Sequence, residues 1–460
     1  MIHYYIKNPK SRTDAFFTRY RTALTGAGLS WVGAGIKEFI KEWQVVRGEP
    51  RGCYNAAINV DCNAYQISCA LSFVFLIFFL LPVFPDSHYN ILGGAQKICL
   101  TGEAEGKAEG KIVSIDHLLR QQGAWLRGEG PESEIVISSR VRMARNLDGY
   151  PFISRMSEVD RKNVVEAFRA ATEKILPAES YFFLSMPELP EVDRRYLLER
   201  QLISPEFVEN QAIRAAVIDR NEDFSVMANE EDHLRIQAMT AGFDFDTIWK
   251  RVNRLDDDLE RELAFAFNEK KGYLTACPSN LGTGLRASVM LHLPGLVETG
   301  EFERLSRSMQ KINLAVRGMY GEGSRALGDF YQLSNQTTLG MAEEELIAHL
   351  EGIIPRVIEY ERKSREHLLE TGKEQLLDKT FRAIGILARA RKIDVVETME
   401  HLSSARLGAH LGLQNEISVG KINDLLLHIQ PAHLQKIAGR ELVEEAEDVF
   451  RAEYLRERLA

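Results

Sequence analysis

Five short segments set arginine or paired acids beside glycine and other small residues. They are Ser138-Ser139-Arg140-Val141-Arg142, Asn229-Glu230-Glu231-Asp232-His233-Leu234-Arg235, Cys277-Pro-Ser-Asn-Leu-Gly-Thr-Gly-Leu-Arg286, Arg286-Ala287-Ser288-Val289-Met290 and Arg317-Gly318-Met319-Tyr320-Gly321-Glu322. Singly, each has an ordinary structural reading. Arg140 and Arg142 lie two apart and would share one face of a strand, a solvated edge by default. Glu230, Glu231 and Asp232 would be a loop acid cluster, and Cys277 a small buried hydrophobe. Together they suit phosphoryl transfer, in which charge spreads over equatorial oxygens and catalysis is mostly positioning and electrostatic stabilisation. Arginine forks are planar, permanently charged and bidentate toward phosphate. Arg140, Arg142, Arg235, Arg286 and Arg317 among small residues can cradle a nucleotide triphosphate. The chain has no GxxxxGK[ST] sequence and no HRD or DFG set, which argues against P-loop and protein-kinase folds.

The elements that must position these residues follow from the periodicity. From Glu134 onward short β-like runs (Ile135–Ile137, Tyr181–Leu184, Ala215–Ile218, Ala287–Leu293) alternate with amphipathic helices, an α/β or α+β body up to about residue 340. Ser157 is placed to cap a helix carrying Val164, Val165, Phe168, Ala171 and Ile175. After Met341 the pattern turns helical, with Leu346, Ile347, Leu350, Ile354, Val357 and Ile358 in one stripe. Gly420 and Gly439 read as helix stops and Pro431 as a start.

The 460 residues allow two or three domains, and a net charge of −9 argues against a globally basic nucleic-acid binder. Charge and cysteine are uneven. Residues 1–110 carry 11 Lys/Arg and 9 Asp/Glu, the remainder 46 and 57. Cys53, Cys62, Cys69 and Cys99 fall in the front part, leaving Cys277 alone behind it, which suits a reducing cytoplasm. The front part also holds the apolar run Ala70–Phe84, marginal for a spanning helix. Residues 1–112 are a membrane anchor, an accessory domain with a buried apolar element, or an incorrectly assigned start. The last is favoured: Gly102–Lys111 (GEAEGKAEGK) has the composition of a translated ribosome-binding site, and Val113 follows as an alternative first residue.

The five segments resemble the phosphagen (guanidino) kinase family over roughly residues 130–340, with NEEDHLR and CPSNLGTGLR nearly diagnostic. The resemblance implies an α+β catalytic domain, a largely antiparallel sheet flanked by helices, over 113–364. Mg2+-ATP would lie across the sheet. A helical tail follows at 365–460, and the residues before the Ser-Ser-Arg segment do not look like the polar helical domain of the small-molecule phosphagen kinases. That layout is similar to the bacterial branch that phosphorylates arginine side chains of proteins; the alternatives are a free-arginine kinase or a non-catalytic phosphoarginine-binding adaptor.

By that resemblance Glu231 is the carboxylate that grips the guanidinium and acts as base, Glu322 its second carboxylate, and Cys277 the reactive cysteine beside it. Ser138, Ser139, Arg140, Val141, Arg142, Arg235, Arg286, Ala287, Ser288, Val289, Met290 and Arg317 to Glu322 (Gly318, Met319, Tyr320, Gly321) would bind ATP. Gln201 stands where the branch often has a histidine near the nucleotide. No protein-bound metal site is implied. The branch's Arg-Asp-x-x-Arg-Ala motif for phosphoarginine reads Glu447-Asp448-Val-Phe-Arg451-Ala452 here, where an acid opposes a phosphate; the alternative is a solvated helix face. The resemblance further implies protein substrates with exposed arginines, a heat-shock repressor, an activator protein, a Clp-type protease and a homodimer. No direct nucleic-acid partner and no membrane are expected.

Overall fold

A strand that reads as a short apolar run because its other face carries arginines lies at the centre of this molecule. The computed structural model describes Ile115, residues 118–119, 121–209, 212–318 and 327–460. All fall in the unit Ala104–Ala460. The Ala70–Phe84 run, the Val113 start and residues 319–322 lie outside the described residues.

Eight strands form one antiparallel sheet: β1 (Val136–Arg145), β2 (Tyr181–Ser185), β3 (Ala215–Asp219), β4 (Phe224–Ala228), β5 (Leu234–Ala241), β8 (Leu285–His292), β9 (Leu314–Gly318) and β10 (Phe330–Asn335). Their order is β2-β3-β4-β5-β1-β8-β10-β9. Between β5 and β8 a two-stranded hairpin, β6 (Phe267–Asn268) and β7 (Gly272–Tyr273), stands apart. The expected strands at Ile135–Ile137 and Ala287–Leu293 overlap the ends of longer β1 and β8.

Helices are α1 (Glu158–Ile175), α2 (Glu191–Glu199), α3 (Pro205–Glu209), α4 (Phe245–Glu262), α5 (Pro294–Glu298), α6 (Phe302–Gln310), α7 (Glu343–Arg389), α8 (Val395–His410), α9 (Val419–His428), α10 (Pro431–Ala438) and α11 (Glu445–Leu459). Ser157 caps α1 through a reciprocal pair: its hydroxyl accepts the Asp160 amide at 3.1 Å, and its own amide donates to the Asp160 carboxylate at 3.0 Å. Helix α7 is broken at Gly372, whose backbone leaves the helical region. Gly439 ends α10 with a left-handed φ of 63° and Pro431 opens it. Gly420 is not a stop. Ser418 accepts the Lys421 amide at 3.3 Å and starts α9, which leaves Gly420 in its first turn.

One sheet face is apolar. Val141, Met143, Ile236, Ala238, Ala287, Val289 and Leu291 pack there against the buried faces of α1 and α4 and the first half of α7, including the predicted stripe Leu346–Ile358. Each large apolar side chain removed from water contributes about 1.5–3 kcal/mol. The other face is divided. Phe182, Leu184, Ile218 and Met227 meet α2 and α3 at the β2 side. Met239, Met290, Phe330, Trp125 and Leu126 meet the C-terminal helices. The bulge between Val136 and Ser138 brings Ile137 to that second group. Between them the face is polar.

Arg145, at the end of β1, lies by alternation with Val141 and Met143 on the helix-covered face. Its fully buried guanidinium donates to Asp256 of α4 at 3.0 and 2.7 Å, to Glu343 of α7 at 3.1 Å and to the Thr283 carbonyl at 2.7 Å. It also lies 3.5 Å from the centroid of the Tyr273 ring. Four elements therefore depend on one cation. Asp256→Ala, which leaves that cation without its bidentate partner, is expected to destabilise the fold by about 3–5 kcal/mol. Chemical denaturation would measure it, and a loss below ~1 kcal/mol would contradict the assigned role.

Candidate active site

Strand register brings the predicted arginines together. Cross-strand partners share a face. Arg140 pairs with Met239 and Ser288, Arg142 with Gln237 and Arg286, and Ala144 with Arg235. On the far side Met290 pairs with Gln332, and Gln332 with Arg317. Arg140, Arg142, Arg235, Arg286 and Arg317, dispersed over 178 positions of sequence, thus occupy the polar band of one sheet face.

Their electrostatics are unbalanced. Burial, then Arg235 and Arg286, lowers Arg140 to about 10. Arg142 is pushed well down by burial and by Arg140, Arg235 and Arg286, with Glu230 opposing. The Arg142 Nε is buried without a hydrogen-bond partner. Such a site is built for an anion that brings several acceptors.

The acids come from the turn between β4 and β5. Asn229 adopts a left-handed φ of 64°, its amide donates to the His233 carbonyl at 2.9 Å, and its side chain donates to the Arg161 and Ile213 carbonyls. Glu230 is buried and accepts from Ser204 at 2.6 Å, from the Glu231 amide at 2.9 Å and from Arg235 at 2.5 Å. Burial pushes Glu230 up, but Arg235, Ser204, the Glu231 amide and Arg142 hold it below its ordinary value. Asp232 accepts from Asn146 and from the Ala276 amide, both at 2.6 Å, fastening this turn to the Cys277 segment. His233 accepts the Leu147 amide at Nδ1 (2.9 Å), so its Nε2 donates to the Pro151 carbonyl. With these three residues committed inward, Glu231 alone projects outward. Its pKa is raised by desolvation, then by Asp232 and Glu230.

Cys277 precedes a short 3-10 turn, Pro278–Asn280, with Sγ 3.1 Å from the Ser279 hydroxyl. Asn280 donates to Glu231 at 3.4 Å, and the Cys277 thiol acts on the Glu231 carboxyl against the rise that burial causes. The two glycines that follow are required sterically. Gly282 has φ 111°, and a Cβ there would lie 2.3 Å from the Thr338 carbonyl; at Gly284 (φ 64°) it would lie 2.6 Å from that of Ala144.

Gln201, with a left-handed φ of 63°, accepts from Arg140 at 3.1 Å, and Gln332 accepts from the same guanidinium at 3.2 Å. These three with Trp125, Ser138, Met239, Ser288 and Met290 line a small cleft beside the arginines, with apolar walls and a few polar groups.

Not every predicted residue faces this site. Ser139, Val141, Ala287 and Val289 alternate to the opposite face: Ser139 donates to the Gly242 carbonyl at 2.8 Å, and the other three join the helix-covered core. Gly318 ends β9, and Met319, Tyr320, Gly321 and Glu322 lie outside the described residues. In the C-terminal motif Arg451 and Ala452 are buried, which excludes a wholly solvated helix face. Arg451 donates to Glu447, to Asp448 at 2.7 Å and to the Ile429 and Ile393 carbonyls at 2.9 and 3.2 Å. Its charge is thus met internally by Glu447. Sequence reading missed Trp125, Ser204, Met239 and Gln332. A period of two from Arg235 points to Met239, whereas the other three reach the site only through chain reversals.

Residues 162–364 match the model for the ATP:guanido phosphotransferase C-terminal catalytic domain, and residues 373–460 that for the Protein-arginine kinase McsB C-terminal domain. The protein-arginine kinase of Symbiobacterium thermophilum is 46% identical over 345 residues, covering 74% of this chain and 98% of that protein. That of Halothermothrix orenii is 42% identical over 335 residues, 73% of this chain and 96% of its own. The crystal structure of lombricine kinase is similar at 26% identity and a TM-score of 0.47, over 54% of this chain and 70% of that one.

Because the arginine band repels itself, Arg142→Gln should leave the ligand-free melting temperature unchanged or higher while shrinking the rise produced by ATP. At 100 times its Kd a ligand adds about 2.7 kcal/mol. Thermal denaturation with and without ATP reads both effects, and a lowered ligand-free value with an intact ATP shift would overturn this reading.

Proposed function

This chain belongs to the protein-arginine kinases of the phosphagen (guanidino) kinase family, and from that premise we propose that it transfers the ATP γ-phosphate to arginine side chains of proteins. The observation that carries the proposal is the arginine band bordered by one outward carboxylate, Glu231, with Cys277 beside it. The band binds the triphosphate, and the cleft at Gln201 and Trp125 takes the nucleoside. Mg2+ carried by the nucleotide would supply charge neutralisation at the phosphates beside Arg140, Arg142, Arg235, Arg286 and Arg317.

Free arginine is protonated far above neutral pH. Glu231, assisted by Glu322, aligns the guanidinium and accepts its proton as the nitrogen lone pair attacks the γ-phosphorus. The bond from phosphorus to the β–γ bridging oxygen breaks, and ADP leaves with that electron pair. Arg140, Arg142, Arg235, Arg286 and Arg317 stabilise the equatorial oxygens throughout. Cys277 adds a polar contact to the same guanidinium. Residues 113–364 act as the catalytic domain and 365–460 as a helical domain for dimerisation and phosphoarginine recognition, with α7 running across the boundary and breaking at Gly372 inside the second. A cytoplasmic stress role, with a repressor, an activator and a Clp-type protease as partners, is consistent with this chemistry. No described helix is long and apolar enough to cross a membrane.

Incubation with Mg-ATP and either an arginine-rich protein or free L-arginine tests the reading. Acid-labile phosphate on the protein is expected; label on free arginine alone would move the activity to a small-molecule kinase, and no label on either would favour an adaptor. Glu231→Gln should lower kcat by on the order of 10²–10⁴ while ATP binding persists. Because the Glu231 pKa is raised and its deprotonated form is the base, wild-type kcat should fall with acid at a pH above the ordinary glutamate value of about 4.3. A pH–rate profile flat down to that value would remove Glu231 from the role of base.

A further inference from the structure

We propose that Phe267, Leu339 and Met341 form a docking rim that holds the polypeptide flanking the target arginine, an inference that rests on the protein-arginine kinase reading above. A guanidinium delivered to Glu231 by a protein brings its neighbours with it. The substrate main chain must then cross whatever borders Glu231, and that border is the Cys277–Gly284 loop. Asp232 and Asn280 join the loop to the acid turn, at 2.6 and 3.4 Å.

The outer side of this loop is buttressed from two directions. Gly282 accepts the Tyr273 amide of the hairpin at 2.8 Å, and Thr283 donates to the Thr338 carbonyl at 3.0 Å. The Thr338 hydroxyl donates back to the carbonyls of Ser279 (2.9 Å) and Leu281 (2.7 Å). The buttresses end in large apolar side chains turned to solvent: Phe267 is 57% exposed, Leu339 52% and Met341 38%. Phe267 stands edge-on against the Tyr273 ring at 5.2 Å, and Tyr273 is itself stacked on the buried Arg145. Phe267 and Leu339 are brought to one place at Gly282: Phe267 pairs with Tyr273, which bridges to Gly282, and a Cβ at Gly282 would lie 2.8 Å from the Leu339 Cα.

Charge selects the occupant. Directly after Met341, helix α7 begins with three glutamates. Glu343 is used by Arg145, while Glu344 and Glu345 are exposed. With Glu231 on the other side of the loop, the rim is apolar between acids. It complements an extended segment in which apolar residues flank an arginine.

The test compares the full chain with its F267S/L339S variant, both checked for equal melting temperature, on two peptides with one arginine each. One peptide flanks it with leucine and valine, the other with glycine and serine. Wild type is expected to show a lower KM for the apolar-flanked peptide. The variant should raise that KM about tenfold with kcat retained, and leave the glycine–serine peptide unchanged. Equal KM values for the two peptides in wild type, or equal effects of the variant on both, would overturn the rim while leaving the kinase reading intact. Wild-type label on free arginine with none on either peptide would overturn both.

Discussion

Five guanidinium groups on one face of an antiparallel sheet impose the constraint around which this protein is organised. A β-sheet ordinarily gains from its cross-strand pairs, yet here the pair Arg142–Arg286 sets like charges opposite one another. Glu230 is the acid that Arg235 engages within this band. Arg140, Arg235 and Arg286 each oppose the charge on Arg142, and burial increases the cost. Stability has to come from elsewhere. It comes from the apolar face, where β1, β5 and β8 pack on α1, α4 and the first half of α7, and from the two apolar groups that border the band on its own face.

Arginine also serves a second, structural purpose. Arg145, Arg200, Arg406 and Arg451 are among the largest fully buried side chains. Arg145 holds the loop that carries Cys277. Arg200 pairs with Glu222, donates to the Gln121 carbonyl at 3.0 Å and accepts the Trp125 indole N–H through its own carbonyl at 3.2 Å, so it fixes the neighbours of Gln201. Arg406 of α8 donates to the Ser133 and Glu134 carbonyls at 2.8 and 3.0 Å and to His292 Nδ1 at 2.9 Å, joining the C-terminal helices to the start of β1 and the end of β8. Glu199 accepts the Ala432 and His433 amides at 2.7 and 3.0 Å, capping α10 from the other side of the same junction. The C-terminal region is thus continuous with the walls of the cleft at Gln201, since Trp125, Met239 and Met290 belong to its core.

The acid turn shows how one reactive group is separated from chemically similar neighbours. Glu230, Glu231 and Asp232 are consecutive carboxylates. Glu230 is neutralised by Arg235 and Ser204 and Asp232 is used by Asn146 and the Ala276 amide, while Glu231 is left facing the Cys277 loop. Environment alone divides a structural counter-ion, a fastener and the carboxylate proposed as the base. The segments that support this loop carry the apolar side chains proposed to receive a polypeptide.

The sequence alone determined the chemistry. The arginine forks of SSRVR, NEEDHLR, CPSNLGTGLR and RGMYGE point to phosphate, and a guanidinium acceptor follows from the family resemblance that these segments carry. Local structure was legible where it is written locally: the Ser157 cap, the Leu346–Ile358 stripe, Pro431 and Gly439 each act within a few residues. Tertiary structure decided the rest. The alternation in β1, β5 and β8 shows which residues share a face of one strand, but it does not say which strands are neighbours or in what register. The order β5-β1-β8-β10-β9 is what places Arg235 and Arg317 with Arg140, and what turns Ser139, Val141, Ala287 and Val289 away. Trp125 and Gln332 carry no local signal, since their part depends on long-range closure. Gly420 failed as a helix stop for a related reason: Ser418 satisfies the free amides of the helix start, and a glycine two residues later is tolerated.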